Sequence, residues 1–208
     1  MHKEQLPKIH TNLESYELLA AIAERIKGLV LEDIEFDFSN CHWIDANMCA
    51  AFRVILAVAG GDFNTVRLTG LHGGVKSILQ KNGFLQLFGH ETRPDTYGTI
   101  IPHRQFGIHE AQSFHHYIEQ HWRGKGLPSM SLELDRRFKQ SLHEIFANAA
   151  EHSETKHGIF STGQFFPKKA QLDFMIADTG IGFRRKIQKA LGFKFRSDAA
   201  IEWALRNL

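Results

Sequence analysis

The chain is poor in the features that would place it outside ordinary globular chemistry. It has two cysteines, Cys41 and Cys49, in 208 residues, which builds no disulfide framework and makes a reduced, cytoplasmic protein the expected setting. No Cys-x-x-Cys and no helical His-x-x-x-His pair occurs, so a soft-ligand metal site is not expected despite 13 histidines. No apolar run approaches the roughly 18 residues of a membrane span, and the opening MHKEQLPKIHTNLESYELL lacks an apolar stretch followed by a small-residue cleavage site. An excess of one charge is missing as well, since 25 Lys+Arg against 23 Asp+Glu leave +2. A surface built to coat nucleic acid would need a clear basic excess, so nucleic acid is not an expected partner.

What is present divides into two units. In residues 12–27, Leu18, Leu19, Ile22, Ala23 and Ile26 share a helical face, and Gly28 supplies a stop. IEFDFSN (34–40) alternates as a strand, 45–59 is an apolar helix ending at Gly60-Gly61, and VRLTGL (66–71) is a short strand. VKSILQKN (75–82) is a helix closed by Gly83. Strands alternating with helices predict a small α/β unit with a parallel sheet over residues 1–90, with no strand before residue 12. Asp45 reads as the N-cap of the apolar helix. The stretch 89–108, with its prolines and glycines, marks a boundary, and TIIPHRQF within it opens the second unit, 91–208, as a strand. HEAQSFHHYIEQHW (109–122) follows as a helix and GKGLPSM (124–130) as a loop.

The chemistry concentrates in the second unit. In SLELDRRFKQSLHEIFANAAEHS (131–153), Leu134, Phe138, Leu142, Ile145, Phe146 and Ala149 fall on one helical face. Glu144 and Asn148 lie one turn apart on its polar border. A carboxylate can orient an attacking oxygen and an amide oxygen can ligate Mg²⁺, the two needs of phosphoryl chemistry. HGIFSTGQFF, PKK and AQLDFMIAD then read as strand, turn and strand (157–178), running into Asp178-Thr179-Gly180-Ile181-Gly182-Phe183. An aspartate ending a strand can accept from an exocyclic amine, and glycines beside it let the backbone approach a ligand.

In their order, SLHEIFANAAEHS and IADTGIGF resemble the N box and first glycine box of the GHKL superfamily: gyrase-type ATPases, Hsp90, mismatch-repair ATPases, sensor histidine kinases and anti-sigma serine kinases. The likeness covers residues 131–183. It implies an α/β two-layer sandwich of Bergerat type with ATP and Mg²⁺ as cofactors. Asn148 would bind the metal and phosphates, Glu144 would be the catalytic base, Asp178 would recognise adenine, and Gly180 and Gly182 would begin the lid. Glu151 and His152 read as polar residues at the helix end, with a place near the phosphates as the alternative that the resemblance implies. The earlier IEFDFSNCHWIDANMCAAF and VRLTGLHGGVKSILQKNGFLQLF resemble the STAS domain of anti-sigma-factor antagonists, over residues 34–88. Its serine-bearing turn is here Ile44-Asp45-Ala46-Asn47, without hydroxyls, so switch phosphorylation is not expected.

The family's second glycine-rich segment and final strand have no counterpart after Gly182, and the expectation is a truncated chain that stops before the nucleotide site is complete, with weak binding and absent turnover. The basic tail (Arg184, Arg185, Lys186, Lys189, Lys194, Arg196), beside Ile187, Leu191 and Phe193, reads as a solvated amphipathic face. The function expected is that of a regulatory Mg·ATP-binding protein, an ATPase or serine kinase, with a STAS-like or other regulatory protein as partner and homodimerisation open. Two alternatives stand beside it: a histidine kinase core, with His109-Glu110 as phosphoacceptor pair, and a non-catalytic interaction module with a vestigial site.

Overall fold

The computed structural model describes residues 1–122, 130–192, 194 and 196–206. The protein is mixed α/β, and its described residues form one parallel and one antiparallel sheet of three strands each. The first half runs β1 (His2–Gln5), α1 (Leu13–Ile26), β2 (Asp33–Asp37), α2 (Met48–Gly60), β3 (Thr65–Thr69) and α3 (Gly73–Lys81). The parallel order is β1-β2-β3, in register from His2 opposite Ile34 and Ile34 opposite Val66. α1 begins where the Asn12 side chain accepts from the Ser15 N–H at 2.9 Å, and Gly28 follows its end at φ +84°.

The structure departs from the sequence-based expectations at β1 and at Asp45. A strand does precede residue 12: β1 has only Glu4 buried, and that carboxylate is held by the Arg25 guanidinium at 2.7 and 2.9 Å. A strand whose inward residue is a paired carboxylate gives no hydrophobic alternation to read. Asp45 is not the cap of α2. Asn47 occupies that position without a side-chain cap bond, while the Asp45 carboxylate accepts from the Thr11 N–H at 2.7 Å and the Trp43 indole at 2.8 Å. Charge-assisted bonds to a neighbouring segment outcompete the helix end for the same oxygens.

The second half runs β4 (Ile100–Phe106), α4 (Ala111–Trp122), α5 (Leu132–His152), β5 (Ile159–Phe166), β6 (Gln171–Asp178), α6 (Gly182–Leu191) and α7 (Ser197–Arg206). β4, β5 and β6 pair antiparallel in that order, with a 3-10 turn at Pro167–Lys169 closing the last hairpin. Of the loop expected at 124–130, residues 124–129 lie outside the described residues. α4 and α5 cover one face of this sheet around Phe106, Phe114, Tyr117 and Phe146, with the Phe114 and Phe146 rings stacked at 4.3 Å.

The other face of the sheet carries α2. Alternation in β5 and β6 turns Ile159 and Ile176 toward α4 and α5, and Phe160 and Met175 away from them. Met175 joins the core of the first half, the Arg53 guanidinium lies 5.3 Å over the Phe160 ring, and the His103 ring sits between Phe84 and Phe160. α2, whose Phe52 meets Phe36 and Phe38 edge-on, therefore packs against elements of both sheets. Among the described residues no helix is long and apolar enough to cross a membrane.

The expected apolar face of α5 is only half covered. Leu142, Phe146 and Ala149 are buried, whereas Leu134, Phe138 and Ile145 keep 51%, 38% and 51% of their surface exposed. The helix is rolled toward Phe146, so those three ride its rim, and the Phe138 ring stands 4.9 Å from the Trp122 ring of α4.

Candidate functional site

α5 is set at both ends by serine. Ser131 accepts from the Leu134 N–H at 3.2 Å to open the helix. At the far end Ser153 is buried, donates its hydroxyl to the Ala149 carbonyl, and gives its own carbonyl to the Ile181 N–H at 2.8 Å. That last bond crosses from the end of α5 to the turn that follows β6. The turn is closed from inside by Asp178, whose Oδ1 accepts from the Gly180 N–H at 2.7 Å. Gly180 is required by contact: a Cβ there would stand 2.2 Å from the Ser153 carbonyl oxygen and 2.6 Å from Asp178 Oδ1. Gly182, at φ +69° with open space around it, begins α6.

Between these pieces runs the connection 153–158. Glu154 takes a left-handed conformation at φ 58° and reaches α6, where Lys189 lies at 2.7 Å and Lys186 at 3.6 Å. The hydrogen bond from Lys189 holds its carboxyl below the ordinary range, with the charge of both lysines adding to the effect. The Thr155 hydroxyl donates to the Gly158 carbonyl at 2.9 Å and meets the Thr179 hydroxyl at 2.8 Å. Thr155 and Thr179 are thus positioning residues that the sequence reading did not single out. Their only sequence signal is that each stands beside a chain reversal, 24 residues apart, a distance no periodicity reports.

Glu144 and Asn148 are both exposed on α5, where the Gln140 amide donates to Glu144 Oε1 at 3.2 Å. Asp178 and Gly180 are half-buried, at the end of β6. The structure therefore joins the end of the α5 helix to the Asp178–Gly180 turn through Ser153. Among the described residues no side-chain hydrogen bond joins Glu144 or Asn148 to Asp178, Gly180 or Gly182. Glu151 and His152 are exposed at the end of α5. Arg184 and Arg185 are exposed as expected of a solvated face, but Lys186 and Lys189 are engaged by Glu154; Phe193 lies outside the described residues. His109 is exposed in the turn before α4, and Glu110 is turned to the Gly107 N–H. Since α4 lies on the sheet and against α5, it does not form an isolated two-helix hairpin.

The two thiols stand apart from this region. Both are buried, and burial pushes Cys41 up to about 11 and Cys49 up to about 12. No protein-family model, no curated protein and no solved structure matches the chain.

Proposed function

We propose that this chain is a regulatory Mg·ATP-binding protein, an ATPase or an anti-sigma-type serine kinase, in which a GHKL-type unit (91–208) follows a STAS-like unit (1–90). A cytoplasmic setting belongs to the same reading. The observation that carries it is the Ser153 junction, which fixes the helix bearing Glu144 and Asn148 to the turn bearing Asp178 and Gly180. The residues fit the nucleotide in two respects. Asp178 spends one carboxylate oxygen on its own turn, so the other can accept from the adenine amine. The Asn148 amide is exposed on α5 and suits Mg²⁺, which takes few protein ligands beside phosphate oxygens and water.

When bound, Mg·ATP supplies a phosphoryl group and its charge neutralisation. The chain's own part is to hold adenine at Asp178, to offer the Asn148 oxygen to the metal, and to orient the attacking oxygen through Glu144. The parallel β1-β2-β3 unit with flanking helices, and the antiparallel sheet backed by α4 and α5, support the two-unit reading.

Calorimetry with Mg·ATP together with a phosphate-release assay tests the proposal. In a chain extended through a second glycine-rich segment, binding with turnover that Glu144→Ala removes, binding being retained, is the result expected of an enzyme. Binding without turnover in that extended chain leaves an interaction module, and absence of binding by both chains overturns the nucleotide reading altogether.

A further inference from the structure

A cleft of about 800 Å³ opens between the two halves, where the end of α2 faces the end of β4 and the connection after α5. Its size lies within the roughly 300–1,000 Å³ of small-molecule sites. Its wall includes Arg53 and Ala57 from α2, Gln105 and Glu110 from the β4–α4 region, and Lys156 and His157 from the connection before β5. None of these is among the residues assigned to the nucleotide.

The charges on this wall are unbalanced. Arg53 Nε is buried and has no hydrogen-bond partner, and among the described residues Arg53 forms no ion pair. The Phe160 ring beneath the half-buried guanidinium offsets part of its desolvation but carries no formal charge, and an anion is the partner that supplies one. Lys156, exposed on the opposite wall, likewise has no ion pair among the described residues. The carboxylate on the wall, Glu110, is turned to the Gly107 N–H, and against the two cations Arg53 and Lys156 it leaves the wall with a net positive charge. The Gln105 amide donates to the His157 carbonyl at 2.7 Å, which fixes the connection across the cleft mouth. Gly61 lets the His157 ring approach the end of α2 closely, because a Cβ there would come within 3.1 Å of that ring.

We infer that this cleft is a second ligand site, taking a metabolite-sized anion whose phosphate or carboxylate group lies between Arg53 and Lys156. Burial gives the site one half-desolvated cation, the loop gives a mobile-stemmed lysine, and the two come from different halves of the chain. Occupancy therefore fastens the halves to each other, through α2 on one side and residues 156–158 on the other.

The test is an amide NMR titration of the full chain with inorganic phosphate and, separately, with citrate, at constant ionic strength set by chloride. Saturable shifts at Gly61 and residues 156–158 with phosphate assign a phosphoryl ligand, and with citrate a carboxylate ligand; either supports the site. Lys156→Ala, on an exposed loop, should weaken binding roughly tenfold. Arg53→Gln should weaken it at least as much, and Ala57→Trp should abolish it by filling the cleft while every charge is kept. The inference is overturned if neither probe gives saturable shifts, or if Lys156→Ala and Ala57→Trp titrate like the parent chain. Because no nucleotide is present, this outcome is separate from that of the nucleotide proposal.

Discussion

The Ile181 N–H donates to the Ser153 carbonyl at 2.8 Å, and this bond ties the last turn of the longest helix to the loop that ends β6. It spans 28 residues of chain (181 less 153) and holds two segments that the sequence presents as separate motifs. Because Gly180 packs directly on the same carbonyl, the junction has no room for a side chain.

Gly180→Ala should therefore cost about 2 kcal/mol of stability, the usual scale for forcing atoms into a filled contact, and should lower Mg·ATP affinity with it. Gly182→Ala meets no neighbour but must hold φ +69°, which costs about 1 kcal/mol. Thermal unfolding of both variants checks the order. A Gly180→Ala protein as stable as the parent would show that the Ser153 contact does not constrain the turn.

Glu144→Gln and Asn148→Ala should behave in the opposite way. Both residues are exposed, so stability should change by no more than about 0.5 kcal/mol. In a chain extended through a second glycine-rich segment, turnover should fall in the first and the Mg²⁺ dependence of nucleotide binding in the second. Phosphate release measured across a magnesium series separates the two effects.

How much of this was legible in the sequence depends on whether the signal is local. Helical spacing marked α1 and α5, glycine stops closed α1 and α3, and the alternation of β5 and β6 marked a hairpin that the structure contains. β1 was hidden because its buried position is Glu4, whose partner Arg25 lies 21 residues away. The half-exposed face of α5 was hidden because periodicity gives the width of an apolar arc and not how it is rolled; Phe146 is buried and Ile145, its neighbour, is not. The packing of α2 between elements of both sheets, and the Thr155–Thr179 contact, depend on how distant segments meet, which no window of sequence contains.

Acid stability should decline in two steps. His103, pushed down to about 4 by burial and by the nearby Arg53 charge, is kept neutral in the fold. The unfolded chain, with the ordinary value of 6.5, binds that proton first, so stability is full above about 6.5 and is lost as pH falls toward 4. At about 1.4 kcal/mol per unit this amounts to no more than about 3.5 kcal/mol. Asp37, held at about 2 by the Ser39 hydroxyl and N–H and by Lys3, continues the loss below 3.8. Denaturant midpoints against pH should show both limbs. His103→Phe should flatten the upper limb and Asp37→Asn the lower.

Cys41 and Cys49 should be slow to alkylate in the native protein, since burial both shields the thiols and raises them well above neutral pH. Iodoacetamide labelling followed by mass spectrometry should find both unmodified until denaturant reaches the unfolding midpoint. Rapid native labelling of Cys49 would mean that the core around Phe52 opens locally.

The central claim is that Asp178 and the helix end joined to it recognise an adenine nucleotide. An amide NMR titration with Mg·ATP, repeated with Mg·GTP and with Asp178→Asn, addresses it most directly because weak binding is still visible. The account predicts saturable shifts at Asn148, Asp178, Gly180 and Gly182 with Mg·ATP, smaller shifts with Mg·GTP, and loss of that preference in Asp178→Asn. Unchanged spectra with both nucleotides, or equal shifts from both in the parent chain, would contradict it.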